Sequence, residues 1–178
     1  MKFRLLSPKE LEPLKEDFIK FLSANTITGE DWASIKSEKP DEANTLLEMF
    51  CDIVWEKSLE KINFLEHRDE KYLKVFRCGK EKIELVGFSV TSAQAPSLLE
   101  ENTFQDLASG KLKFSELQAE FYTSEKRIED ALMQKFDLME NGCVPCEQAY
   151  FYGIKSGHYL NNQLLRKLFS DSSNFKIV

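Results

Sequence analysis

Cys143 and Cys146 stand two residues apart, with Val144 and Pro145 between them, inside the stretch NGCVPCEQAYFYG at residues 141–153. Three kinds of chemistry share that spacing. C-x-P-C ahead of a helix is the local form of a thioredoxin-type dithiol, where the positive end of the helix favours thiolate. The same pair is half of a zinc site, which takes four ligands when structural and three when catalytic. Cysteines at a helix start are also ordinary small apolar residues. The dithiol needs a preceding strand within a βαβ unit, whereas a helix ending DLMENG precedes this pair. The zinc site needs partners from Cys51, Cys78, His67 and His158. Cys51 shares an apolar helical stripe with Leu47 and Val54 and reads as core, so Cys78 is the strongest third ligand. Packing thiols with no cofactor are the leading reading. A zinc site at Cys143, Cys146 and Cys78, or a redox dithiol at Cys143 and Cys146, is the alternative.

His67 lies among carboxylates in EHRDE, residues 66–70. A His–carboxylate pair can act as a general base, and HRD occurs in the kinase catalytic loop. No Gly-rich loop, strand lysine or DFG accompanies it, and a charged hairpin turn is the simpler reading. His158 follows Gly157 at a helix start. Tyr150, Phe151 and Tyr152 concentrate aromatic surface that suits either an interaction site or a core. The chain carries no G-x-S-x-G, H-E-x-x-H, P-loop or dinucleotide fingerprint. No catalytic residue is assigned.

The elements that must position these side chains follow from periodicity. Ser7, Pro8 and Glu10 spell a capped helix start, and Leu11, Leu14, Phe18, Phe21 and Leu22 continue it at helical spacing, with Pro13 in the way. Thr28 caps a short helix carrying Trp32 and Ile35. Pro40 opens a longer one through Leu46, Leu47, Phe50, Ile53, Val54 and Ile62. After about Lys61 the period shortens to two. INFLEH, KYLKVFRC and KIELVGFSVT read as a small antiparallel meander. On its middle strand Tyr72, Lys74, Phe76 and Cys78 share one face, and Leu73, Val75 and Arg77 the other. Beyond Pro96, the apolar series Phe114, Leu117, Phe121, Ile128, Leu132, Phe136 and Met139 predicts one long helix or two, stopped by Asn141-Gly142. Helices near 145–154 and 159–169 follow, with a terminal edge strand at 175–178.

Charge bounds the partners. With 30 acidic against 24 basic residues the chain carries a net charge of −6. Nucleic acid and anionic membrane surfaces both call for the opposite sign. No apolar run approaches a membrane span of about 18 residues. The N-terminus MKFRLLSPKE lacks the apolar core of a secretion signal. These features predict a cytoplasmic protein whose four cysteines stay reduced.

The segment SPKELEPLKEDFIKFLSANTITGEDWASIKSEKP, followed by FCDIVWEKSLEKINFLEH, resembles a bacterial family of small uncharacterised proteins, a domain of unknown function. The resemblance is clearest over residues 7–67, above all from Val54-Trp55-Glu56-Lys57 to Leu65-Glu66-His67. It continues more weakly through YTSEKRIEDALMQKFDLMENG. It implies a stand-alone cytoplasmic protein, and it brings no activity and no site residues.

Together these readings predict an α+β fold, with helices at both ends around a small antiparallel β-meander. One domain spans 1–178: N-terminal helices and meander over 1–91, a candidate hinge at 92–98 and a helical part over 99–178. The expected function is non-enzymatic binding of a protein partner or a small ligand, with Tyr150, Phe151 and Tyr152 as candidate contact residues. The runner-up is thiol-redox or zinc chemistry at Cys143 and Cys146.

Overall fold

The computed structural model describes residues 1–100, 102–103, 106–107, 111–114 and 116–157. The chain forms two compact units, Met1–Lys61 and Ile62–Val178, and the mix of helices with an antiparallel sheet is the predicted α+β class.

The first unit is helical. Helix α1 (Pro8–Leu11) starts in a complete capping box: Ser7 Oγ accepts from the Glu10 N–H, and the Glu10 carboxylate accepts from the Ser7 N–H at 2.7 Å. Pro13 then ends the regular α-helix, because it has no N–H and its ring crowds the turn before it. The chain passes through a 3₁₀ turn (Glu12–Leu14) into α2 (Lys15–Ala24). Helix α3 (Gly29–Glu38) is capped reciprocally by Thr28 and Asp31, as its sequence predicts.

Helix α4 (Pro40–Lys61) buries Ala43, Phe50, Cys51, Trp55 and Leu59. That face is rotated from the expected one, for Leu47 and Val54 are only half-buried and Ile53 is exposed. The N-terminal residues explain the rotation. The N–H groups of Lys2 and Phe3 donate to the Asp52 carboxylate at 2.7 and 2.9 Å, and Trp55 Nε1 donates to the Arg4 carbonyl at 3.1 Å. Residues 2–6 thus lie along the Cys51–Trp55 side of α4 and bury it. On the Phe50 side, the rings of Phe18, Phe21 and Trp32 pack in one aromatic cluster.

The second unit is built on a sheet ordered β4-β3-β2-β1-β5. The three predicted strands are present as β1 (Phe64–Arg68), β2 (Tyr72–Cys78) and β3 (Lys82–Val90), antiparallel throughout. β4 is Ala119–Arg127 and β5 the short Val144–Pro145. Helix α5 (Ala131–Glu140) covers one sheet face and α6 (Gln148–Gly157) the other. On the α6 face, Leu73, Val75, Val86, Phe88 and Val90 join Leu98, Leu107, Leu117, Phe151 and Ile154. On the α5 face, Leu65 and Cys78 pack with Cys143, Leu138 and Met139.

One sequence reading changes. The apolar series from Phe114 to Met139 is not helical throughout: residues 119–127 form strand β4, and the helix begins only at Ala131, capped by Asp130. The helical spacing there is coincidental. Phe121 is held in a ring cluster with Phe88 and Phe114 at 5.6 and 5.3 Å. The outer backbone groups of β3 also require partners, and β4 supplies them along nine residue pairs. Residues 92–98, the candidate hinge, lie inside the second unit. Leu98 is fully buried, and its N–H donates to the Glu70 carbonyl at 2.9 Å. The division between compact units falls after Lys61. The helix predicted at 159–169, the strand at 175–178 and His158 lie outside the described residues.

Candidate functional site

The cysteine pair does not sit at a helix start. Helix α5 ends in a left-handed Gly142 (φ +88°); the Gly142 N–H bonds to the Met139 carbonyl and the Cys143 N–H to the Leu138 carbonyl, both at 3.0 Å. This is a Schellman closure. Its last residue, Cys143, joins the buried cluster against which Leu138 packs. β5 follows, and α6 begins only at Gln148, so the dipole argument for a thiolate at Cys143 loses its basis.

The intervening strand also divides the pair. Cys143 belongs to the cluster with Leu65 and Cys78 on the α5 face, while Cys146 packs against the core on the α6 face. Burial pushes the thiols of Cys78 and Cys143 up to about 11. Burial and then the neighbouring Glu66 carboxylate push Cys146 up to about 12. Among the described residues no group of three or more His, Cys, Asp or Glu side chains is arranged to hold a metal ion.

His67 and Glu66 are adjacent in β1, and their side chains therefore leave the sheet on opposite faces. His67 stacks on Tyr72, with ring centroids 5.6 Å apart and planes 16° from parallel. Glu66 pairs with Arg68 at 2.9 Å on the α6 face, and burial raises its carboxyl pKa against the pull of that guanidinium. The suggested His–carboxylate pair is not assembled.

The three aromatic candidates diverge as well. Phe151 is fully buried core, Tyr150 is half-buried against the same core, and Tyr152 is exposed. The Tyr152 hydroxyl accepts a hydrogen bond from Arg77 at 3.3 Å, and the Arg77 guanidinium lies 5.7 Å from the Phe151 ring centre. Arg77 also pairs with Glu84, and Lys155 lies 3.6 Å from the same carboxylate. This ion network borders a cleft of about 380 Å³ lined by Glu84, Val86, Thr123, Glu125, Phe151 and Lys155.

Beyond the cleft lies a feature the helical reading hid, the outer edge of β4. The Ile128 N–H donates to the Glu81 carbonyl at 2.9 Å. Counting back by twos along the register, Lys126, Ser124, Tyr122 and Glu120 exchange their bonds with β3. The backbone groups of Thr123, Glu125 and Arg127 therefore face away from the sheet, and all three residues are exposed. Ala119, the first in that outward series, already donates to the Phe114 carbonyl at 3.1 Å. The run Phe-Tyr-Thr at 121–123, aromatic and β-branched residues in sequence, is the local signal that could have revealed the strand.

Among the described residues no helix is long and apolar enough to cross a membrane. No curated protein and no solved structure matches the chain. The model of a family of unknown function, DUF6495, matches residues 1–158, and the chain belongs to that family.

Proposed function

We propose that this is a non-enzymatic interaction protein that takes an extended segment of a protein partner onto the edge of β4. The observation that carries the reading is the edge itself. It is a nine-residue outer strand whose last five residues are all exposed and whose alternate backbone groups point outward. Such an edge binds a partner through main-chain hydrogen bonds, with side-chain pockets giving selectivity. The adjoining cleft, lined by Phe151, Lys155, Glu84 and Glu125 among others, supplies such a pocket.

The ionisable groups support binding over catalysis. Glu66, Glu84 and Glu125 are engaged in ion pairs, and three of the four thiols are buried packing groups. In this reading the protein needs no metal or other cofactor. It works in the cytoplasm, consistent with four free cysteines, and its net charge of −6 sets it apart from nucleic-acid binders.

The test is site-specific photocrosslinking in cells. Benzoylphenylalanine placed at Glu125 should capture protein, whereas the same probe at Lys36 on α3 should not. Capture should fall at least about tenfold in a Thr123→Pro background, which removes an outward N–H that the sheet does not use. Capture no stronger from Glu125 than from Lys36 overturns the reading.

A further inference from the structure

We infer that the partner on the β4 edge is a second copy of this chain, joined strand to strand about a two-fold axis through Thr123. This rests on the edge reading above and specifies its occupant.

The inference comes from what the strand presents to itself. A two-fold axis perpendicular to the sheet makes two β4 strands antiparallel and the contact self-complementary, so that the assembly closes as a dimer. The axis can pass through a residue whose backbone groups point outward, which then exchanges both hydrogen bonds with its own image, or through a residue bonded to β3, whose outward neighbours then bond each other's images. The candidates therefore run from Phe121 to Arg127.

Charge and length choose among them. An axis at Glu125 sets two carboxylates opposite each other, and one at Arg127 sets two guanidiniums opposite; like charges directly opposite are destabilising. An axis at Phe121 pairs only residues 119–123 of the strand with their images. The axis at Thr123 is the midpoint of Ala119–Arg127, so the whole strand lies opposite its image, with only the Ala119 N–H already engaged by Phe114. Axes at Tyr122 and Ser124 set no opposite charges against each other. In that register Glu120 meets Lys126 of the second copy, and Lys126 meets its Glu120. Both contacts are non-hydrogen-bonded pairs, the type in which opposed residues lie closest, with Cα atoms about 4.5 Å apart.

The remaining partners fit. Thr123 meets Thr123, a favourable cross-strand pair. Tyr122 meets Ser124. Phe121 meets Glu125, whose carboxylate is already neutralised by Lys82 at 3.0 Å. Lys126 also hydrogen-bonds Gln134 at 3.3 Å, a neutral partner that leaves its charge available. Charges on an edge strand deter chance pairing. Here the same charges favour one register, the one that opposes Glu120 to Lys126, so a single device serves both exclusion and selection.

Edge pairing alone buries little surface. The dimer is therefore weak, with a dissociation constant of roughly micromolar or above, and it is read by sedimentation velocity over a concentration series. The wild-type chain should shift from monomer to dimer as concentration rises. Glu120→Lys and Lys126→Glu should each weaken dimerisation at least about tenfold, because each sets like charges opposite one another. The double variant, with both charges exchanged, should recover dimerisation to within about threefold, which neither a folding defect nor loss of the Gln134 contact would allow. Each variant's urea midpoint establishes that it is folded.

A chain that stays monomeric at all concentrations overturns the inference. So does a dimer that ignores both single reversals, or a double variant that does not recover. If Glu125 crosslinks in cells to a different protein while the purified chain stays monomeric, the edge reading stands and the second copy is excluded. If Glu125 captures nothing and the chain is monomeric, both readings fail.

Discussion

Tyr122 lies across Gly87, its cross-strand partner, so closely that a Cβ added to Gly87 would come within 2.9 Å of the Tyr122 ring and 2.6 Å of the Leu73 carbonyl oxygen. The glycine thus lets a β4 ring fold over β3 and lets β2 approach from the other side. Gly87→Ala should cost about 1–3 kcal/mol through overpacking, measured as a lower urea midpoint at unchanged slope. Because the closer obstruction is backbone, Tyr122→Ala in the same chain should not restore stability. A Gly87→Ala midpoint equal to wild type would show that the β3–β4 packing is looser than described.

Phe50 is buried in the helical unit, with its ring 5.0 Å from that of Phe18 and 5.6 Å from that of Phe21. Phe50→Ala should remove about 3–5 kcal/mol, the usual cost of emptying an aromatic core site. Val54, half-buried on the same helix, should cost less when cut to Ala. Equal losses at the two positions would show that the buried face of α4 is the one expected from spacing alone.

The thiols of Cys78, Cys143 and Cys146 are pushed up to about 11, 11 and 12, chiefly by burial. The thiolate is the reactive form, so the native protein at pH 7 should react with iodoacetamide at least about tenfold more slowly than free cysteine. Reaction should accelerate on unfolding in urea. Rapid modification of Cys143 or Cys146 in the folded chain would revive the redox reading. Stoichiometric zinc in untagged protein, weakened by Cys78→Ser, would revive the metal reading.

Glu10 is held down to about 2, first by its hydrogen bonds to Arg4, then by its contacts with Ser7. A carboxyl with a lower pKa in the folded state stabilises the fold above its unfolded value, and that contribution is lost as pH falls. The window runs from the ordinary value of 4.5 down to about 2. The pair is more than a third exposed, so solvent screening keeps the effect small. Glu10→Gln should flatten the stability profile within that window and leave its shape above pH 5 unchanged. A profile as steep as wild type below pH 4.5 would show that the Arg4 contact contributes nothing.

Where a local rule was enough, the fold was legible in the residues. Ser7 and Thr28 mark helix starts because their hydroxyls cap nearby amides, and Asn141-Gly142 marks an end because glycine enters the left-handed region at little cost. Strands β1 to β3 show through their two-residue period. Membership in a family of unknown function was likewise carried by sequence alone.

The rest depended on contacts between distant residues. The spacing of Phe114, Phe121 and Ile128 suits a helix, yet the unpaired edge of β3 and the Phe88 ring draw residues 119–127 into a strand. Local propensity could not weigh that long-range gain. The buried face of α4 was chosen by residues 2–6, about fifty positions away. Cys143 and Cys146 read as one motif because they are close in sequence. A two-residue strand sends their side chains to opposite faces of the sheet, since successive residues alternate sides. Composition, caps and periodicity determine which elements form. Only tertiary packing decides which edges stay open and which groups meet, because those outcomes depend on surfaces that exist only after the chain has folded.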